Sequence, residues 1–276
     1  MPELPEVQTI VNGLNRMIIN KEIEEISWDW AKSFPNSKES LEATLGTKVI
    51  KAHRRGKAVL IDLNNKTTLL IHLKMTGQLV YQSNNSNGSF PDKSTRVQVH
   101  FKDGSTLFFN DTRKFGWMKI MTPSELEENS FLKKLGPEPL KRNFTKALFQ
   151  EQMSRRKNTF VKAALLDQTV LAGIGNIYCD EALFLAGIMP DRRVHTLTEE
   201  DYKKLHRTLR KVLNTSIELG GSTRRDYLNA EGTRGHYLDQ AWVYARQGEA
   251  CRKCGAIIHK IRVAGRGTHF CPQCQT

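Results

Sequence analysis

The chain has 276 residues, 39% hydrophobic and 26% charged, enough apolar material for one large core or two ordinary ones. No apolar run approaches the roughly 18 residues of a membrane span, and the first residues lack the basic-then-apolar layout of a secretory signal, so the cytosol is the expected location. A formal net charge of +13 favours a polyanionic partner. In chain order, Val7, Ile10, Val11, Leu14 and Ile18 recur at helical spacing and predict a helix from the proline-rich start through about Ile19, weakened slightly by Gly13. Strand-like segments follow at Glu22–Trp28, Lys48–Ala52, Ala58–Leu63, Thr68–Leu73, Arg96–Phe101, Thr106–Phe109 and Trp117–Met121. Asn64-Asn65 and Asp103-Gly104 sit between pairs of these as hairpin signals, and residues 83–95, rich in Ser and Asn, read as a mobile surface loop. Residues 1–122 are therefore expected to form a β-sandwich or flattened barrel with one leading helix, and residues 123–140 a linker broken by Leu135-Gly136-Pro137-Glu138-Pro139-Leu140. Beyond it the pattern turns helical, at Lys146–Ser154, Val161–Leu166, Ile177–Leu185 and Glu199–Leu219, giving an α+β chain with a helical domain over 141–240. Residues 241–276 are too short for a helical core and fit a β-hairpin stapled by a metal.

Charge and cysteine placement narrow the partners. From Lys203 to Thr276 there are 14 basic side chains against 5 acidic, and Lys141–Ala163 carries seven basic residues against Glu151 alone. A solvated basic surface is the plain reading of such runs. An acidic membrane is a second reading, but no basic amphipathic helix with a bulky aromatic face stands out, so nucleic acid is favoured. Cys251, Cys254, Cys271 and Cys274 form two C-x-x-C pairs with 16 residues between, the spacing of a four-thiolate zinc site. One structural zinc per chain is expected.

Several stretches carry chemistry beside a blander alternative. Met1-Pro2-Glu3-Leu4-Pro5-Glu6 limits fraying and caps a helix on one reading. On the other, removal of Met1 leaves Pro2 as a secondary α-amine, whose pKa of about 7.7–8.0 leaves a sizeable neutral fraction, with Glu3 beside it to move protons. Gly173-Ile174-Gly175-Asn176 precedes a helix and aims backbone N–H groups at a phosphate, or is simply a tight packed turn. Lys57, His72 and Lys74 stand on strands as either ligands or exposed neighbours. Arg113 and Phe115, two apart, either meet a base edge and wedge a base step, or are respectively paired with Asp111 and buried as core.

Taken together, Pro2-Glu3-Leu4-Pro5-Glu6-Val7, Arg55-Gly56-Lys57, His72-Leu73-Lys74-Met75, Asp111-Thr112-Arg113-Lys114-Phe115-Gly116, the Leu135–Leu140 run, Gly173–Leu183, Gly220-Gly221-Ser222-Thr223, Tyr244 and Gly265–Cys271 occur in one order that resembles the bacterial formamidopyrimidine-DNA glycosylases essentially end to end. The resemblance implies a β-sandwich with an N-terminal helix, a helix–two-turn–helix domain and a zinc finger, with duplex DNA in a basic cleft. It implies a monomer that flips oxidised purines out of the helix, excises them and cleaves the abasic site by β,δ-elimination. In that pattern Pro2 attacks C1′ of the sugar, Glu3 supplies general acid/base chemistry, Glu6 orders water or the flipped nucleotide, and Lys57, in the catalytic set, contacts phosphate and the lesion region and assists the lyase steps. Met75, Arg113 and Phe115 would fill the hole in the duplex. His72, Asn176, Tyr178 and Arg266 would bind phosphates, Arg266 belonging with the catalytic set. Thr223, Arg224, Arg225 and Tyr227 would lie where a loop closes over the lesion. The chain departs from the pattern at Thr76, where some members carry an acidic residue near the flipped base, at Arg224, often apolar, at Cys179, read as a buried free thiol, and at Ala245, usually glycine. The endonuclease VIII branch, which prefers oxidised pyrimidines, is the nearest rival, and a non-catalytic zinc-finger DNA-binding protein is the alternative from another class.

Overall fold

A computed structural model describes residues 1–84, 90–223 and 227–276, which form two compact units. The first holds Met1–Lys133 and Leu219–His236, the second Lys134–Glu218 and Tyr237–Thr276. Sheets dominate the first and helices with a β-hairpin the second, the α+β architecture that the sequence implies.

In the first unit, helix α1 (Leu4–Met17) precedes β1 (Ile23–Trp28), a short helix α2 (Lys38–Glu42), β2 (Val49–Arg55), β3 (Ala58–Leu63), β4 (Thr68–His72), β5 (Gly77–Gln82), β6 (Thr95–Phe101), β7 (Thr106–Asp111) and β8 (Trp117–Met121). The strands pair antiparallel in two four-stranded sheets, ordered β1-β6-β7-β5 and β2-β3-β4-β8. Because strand side chains alternate faces, Val97, Val99, Leu107 and Phe109 of one sheet meet Val59, Ile61, Leu69 and Ile71 of the other in one core. Helix α1 adds Val7, Ile10, Val11 and Leu14, each at most 3% exposed. Burying one such side chain contributes on the order of 2 kcal/mol, so the stripe outweighs the roughly 1 kcal/mol that a glycine costs a helix interior. Gly13 serves close approach instead, since a Cβ there would come within 2.8 Å of the Ala230 Cβ. Strands β3 and β4 are covered on their other face too. Ala58, Leu60 and Leu70 pack under Trp117, Leu126, Phe131 and Leu132, the last three from helices α3 (Pro123–Glu128) and α4 (Ser130–Lys133).

Three features differ from the sequence expectation. Periodicity does not reveal β5, which opens on glycine and runs into a Ser/Asn-rich stretch. Distant partners fix it: β7 on one side, and on the other Ala230, whose carbonyl accepts the Tyr81 N–H at 2.9 Å. Leu219–His236, expected with the helical domain, folds with the first unit for the same reason. The expected linker also divides. Pro123–Lys133 forms α3 and α4, while Gly136 N–H donates to Gln168 O at 2.8 Å and Ala172 N–H to Pro137 O at 3.1 Å inside the second unit. Residues 85–89 of the expected surface loop lie outside the described residues.

The second unit contains α5 (Lys146–Ser154), α6 (Val161–Leu166), α7 (Asn176–Ala186), α8 (Glu199–Glu218) and a hairpin of β9 (His259–Val263) and β10 (Arg266–Phe270). Helix α7 is its centre, with Tyr178, Cys179, Asp180, Glu181, Ala182 and Leu183 at 0% exposure, and Gly187 closes it in the left-handed region at φ +75°. Cys179 is buried and in no disulfide, its Sγ 4.0 Å from Lys162 O. Among the described residues no helix is long and apolar enough to cross a membrane.

Candidate functional site

The chain start is built into the first unit rather than trailing from it. Pro2, Glu3 and Glu6 are buried, whereas Met1 is 51% exposed. Glu6 accepts the Glu3 N–H on Oε2 at 2.8 Å, holding the entry to α1. Its Oε1 accepts the Ser222 N–H at 2.7 Å and the Ser222 hydroxyl at 2.9 Å. Tyr227 donates its hydroxyl to Glu6 O at 3.2 Å, and burial together with the Glu6 charge pushes that phenol well above its ordinary range. Gly221 sits at φ +88°, where a Cβ would lie 3.1 Å from Glu6 Oε1. Thr223 braces the same segment, its hydroxyl donating to Tyr227 O at 3.0 Å and accepting the Gly235 N–H at 2.8 Å. Both Glu6 oxygens are thus engaged by protein donors that tie the head of α1 to Ser222. Arg224 and Arg225 lie outside the described residues.

Lys57 and His72 are buried, 7% and 8% exposed, and not surface neighbours. Ala58 pairs with His72 across β3 and β4, bringing the Lys57 end of β3 to that ring. Burial first, then the charges of Lys74 and Lys57, lower the His72 pKa to about 4. Its Nδ1 accepts the Lys74 N–H at 3.0 Å, which leaves the proton on Nε2. The imidazole is therefore a neutral N–H donor in a positive field, suited to an anionic oxygen.

Met75 and Phe115 are exposed at 45% and 56%, among the largest apolar side chains left to solvent. Phe115 is not core, and the Arg113 guanidinium stands 4.9 Å from its ring centre. Asp111 spends its carboxylate on backbone N–H groups of this turn, Phe115 at 2.7 Å and Gly116 at 2.6 Å. Lys74 (φ +53°) and Lys114 (φ +57°) adopt the left-handed conformation beside these protruding residues. Each costs roughly 1–2 kcal/mol relative to ordinary backbone.

In the second unit, Asn176 Nδ2 donates to Gly267 O at 2.9 Å at the head of α7, while its buried Oδ1 has no hydrogen-bond partner. Lys162, fully buried, donates to the same carbonyl at 3.1 Å and to Asp180 Oδ1 at 2.5 Å. Asp180 Oδ2 accepts the His269 N–H at 2.9 Å. These bonds fasten the turn that presents the exposed Arg266. The Tyr178 side chain, in the first turn of α7, is 0% exposed, 2.5 Å from Ser216 Oγ and edge-on to Tyr237, so the ring packs in the core. Glu181 accepts N–H groups of Trp242, Val243 and Tyr244 at 2.8–2.9 Å and the Tyr237 hydroxyl at 3.1 Å, tying α7 to the chain before the hairpin.

The Sγ atoms of Cys251, Cys254, Cys271 and Cys274 all lie within 4.8 Å of one another. Cys251–Cys274 and Cys254–Cys271 are 3.9 and 3.5 Å apart, too far for a disulfide. A tetrahedron of 2.3 Å zinc–sulfur bonds has edges of about 3.8 Å, so the cluster fits zinc. Lys253 N–H also donates to Cys251 Sγ at 3.4 Å, the kind of backbone donor that supports a thiolate ligand.

Comparison with known proteins agrees along the whole chain. Residues 1–118 match the Formamidopyrimidine-DNA glycosylase N-terminal domain, 135–227 the Formamidopyrimidine-DNA glycosylase H2TH domain, and 248–276 the zinc finger found in FPG and IleRS. The chain belongs to the formamidopyrimidine-DNA glycosylase family. A relative of that name from Desulfitobacterium hafniense is 42% identical over 277 residues, covering all of both chains. The crystal structure of the MutM (Fpg) protein of Thermus thermophilus superposes with a TM-score of 0.88 at 36% identity, over 99% of this chain and 98% of that one. The Lactococcus lactis Fpg in complex with abasic-site DNA gives 0.90 at 34% identity, over 99% of each chain. For a chain of this glycosylase family, the structure gathers Pro2, Glu3, Glu6, Thr223 and Tyr227 into one hydrogen-bonded or adjoining set and Lys57 with His72 into another. Sequence reasoning missed the supporting anchors: Ser222 within the first unit, and, within the second, Lys162 and Asp180 under the Arg266 turn, are single polar or charged residues that only burial distinguishes.

Proposed function

We propose that the chain is a bifunctional DNA glycosylase and abasic-site lyase of base excision repair, acting on oxidised purines such as 8-oxoguanine and formamidopyrimidines in duplex DNA. The observation that carries this is the burial of Pro2 and Glu3 at the head of α1, under the Glu6–Ser222 clamp, in a member of this glycosylase family. A side-chain lysine titrates near 10.4, whereas an α-amine titrates near 7.7–8.0. With Met1 removed, the Pro2 nitrogen thus has a sizeable neutral, nucleophilic fraction at working pH by virtue of being an α-amine. It attacks C1′ as the bond to the base breaks; cleavage of the C1′–O4′ bond then opens the sugar to a cationic iminium, which acidifies the neighbouring C–H bonds so that the 3′ and 5′ phosphates leave in successive eliminations. Glu3 moves the protons. Lys57 and the neutral His72 hold anionic phosphate oxygens, joined by Asn176 and by Arg266 on the hairpin turn. Met75, Arg113 and Phe115 occupy the space of the extruded nucleotide, as flipping requires, with Arg113 facing the orphaned base. Thr223, Tyr227 and the arginines 224 and 225 cap the lesion.

Four thiolates would hold one structural zinc, whose chemistry is to staple the hairpin. The protein works as a cytoplasmic monomer on DNA. Borohydride reduction tests the mechanism: a covalent protein–DNA adduct is expected with abasic or 8-oxoguanine duplex and is lost in Pro2→Gly or when Met1 is retained. No adduct from correctly processed protein refutes it. Faster excision of thymine glycol than of 8-oxoguanine opposite cytosine would move the chain to the pyrimidine-preferring branch. Chelation of the metal is expected to abolish duplex binding, and unchanged affinity after verified zinc loss counts against the staple.

A further inference from the structure

Two turns carry the protruding side chains, and the sheet topology sets them side by side. The β4–β5 turn leaves one sheet for the other, and the β7–β8 turn crosses back. The pairs His72–Trp117 and Gly77–Asp111 frame them on either side. Asp111 is fully buried at the root of the second turn. Its main chain is fixed by N–H donation to Ser94 O at 2.7 Å and by the Arg96 guanidinium, which donates to Asp111 O at 3.0 Å. Its carboxylate accepts the N–H groups of Arg113 at 3.2 Å, Phe115 at 2.7 Å and Gly116 at 2.6 Å. The remaining donor comes from the other turn. Thr76, next to Met75, gives its hydroxyl proton to Asp111 Oδ1 and accepts the Arg113 N–H at 3.2 Å. One hydroxyl thus bonds in both directions across the gap. Nothing larger than glycine fits alongside, because a Cβ at Gly116 would meet Phe109 at 2.6 Å and His72 O at 3.1 Å.

We infer that Thr76 and Asp111 are positioning residues that lock the Met75 turn and the Arg113–Phe115 turn into a single wedge, set before DNA arrives. This rests on the glycosylase reading above and adds the device that makes base extrusion fast. Both turns contain a left-handed lysine, so each has a more relaxed backbone available when its hydrogen bonds are removed. Independent turns must be ordered at the moment of insertion, and that entropy then opposes extrusion. The bridged pair has already met that cost in folding. Thr76 touches neither the reacting sugar nor the base in this scheme; it acts through Met75, Arg113 and Phe115.

The test follows extrusion and chemistry separately. The probe for extrusion is a duplex with 8-oxoguanine opposite cytosine and 2-aminopurine as its neighbour, whose fluorescence rises on unstacking. The probe for chemistry is borohydride trapping on a single-stranded abasic oligonucleotide, which has no stack to wedge. Thr76→Val keeps the volume and removes both bonds. Loss of a hydrogen bond to a charged group corresponds to roughly a tenfold change or more. Thr76→Val is therefore expected to slow the fluorescence rise about tenfold while single-strand trapping stays within twofold of wild type. Thr76→Ser, which keeps the hydroxyl, is expected to restore the rise. A Thr76→Val protein whose fluorescence rises within twofold of wild type overturns the proposal, as does equal slowing of both readouts or failure of serine to rescue. Absence of trapping by wild-type protein would instead overturn the functional reading beneath it.

Discussion

Replacing Glu6 by glutamine tests whether the clamp on the chain start is electrostatic and structural. The substitution keeps shape and removes one acceptor. In the native arrangement Oε2 takes the Glu3 N–H and Oε1 takes two donors of Ser222, at 2.7–2.9 Å. A glutamine satisfies one side with its carbonyl and turns an NH2 toward donors on the other. If the carbonyl faces Ser222, the buried Glu3 N–H loses its partner, at about 1–3 kcal/mol. The bonds kept lose their ionic character as well, and hydrogen bonds to a charge exceed neutral ones by about 1 kcal/mol. The expected loss is about 3 kcal/mol, or roughly 6–12 °C in the melting temperature of a unit of this size. Differential scanning calorimetry reads it. A double-mutant cycle with Ser222→Ala should return a coupling of 1 kcal/mol or more between positions 6 and 222. A melting temperature within 2 °C of wild type, or additive effects, refutes the clamp. Adduct formation should fall as well, since the released Glu3 backbone is the neighbour of Pro2.

Three further outcomes follow from the geometry. Ala245 lies at φ +63°, so Ala245→Gly should raise stability by about 0.5–1 kcal/mol in denaturant titration, strain relief exceeding the entropy glycine adds to the unfolded chain. His72 has a folded pKa of about 4 against 6.5 unfolded. The unfolded state therefore binds more protons between those values, and the stability in question is complete above pH 6.5 and declines toward pH 4. At pH 5 wild type should lose about 2 kcal/mol more than His72→Asn does, relative to pH 7.5, and parallel pH profiles would exclude the effect. Lys162→Met strands the fully buried Asp180 carboxylate, and urea unfolding should report a loss of about 3–5 kcal/mol. A loss below 1 kcal/mol would mean the pair carries little of the Arg266 turn.

Features governed by near neighbours were legible in the sequence. The stripe from Val7 to Ile18, the hairpins at Asn64 and Asp103, the helices at Lys146–Ser154 and Val161–Leu166 and the two C-x-x-C pairs all rest on spacing within a few residues, and the structure has them at those places. Residues chosen by distant partners were not. Glu6 meets Ser222 across 216 positions, and Tyr81 meets Ala230 with all of Lys134–Glu218 between them in the sequence. Tyr178 carries a polar tip, and no residue pattern shows that its hydroxyl meets Ser216 in the core. Asp111 reads as a salt-bridge partner for Arg113, whereas its oxygens serve backbone N–H groups that a residue pattern does not display. In each case the deciding quantity is burial, which periodicity supplies for apolar side chains and not for single polar ones.

The return of Leu219–His236 to the first unit bears on how the protein is made. The edge strand β5 stands complete only when Ala230 lies against it. During synthesis, residues 1–133 leave the ribosome well before residue 230 exists, so for that interval β5 presents open backbone groups to any other nascent chain. A fragment ending at Lys133 should aggregate through this strand, and a separate peptide covering Leu219–His236 should suppress the aggregation.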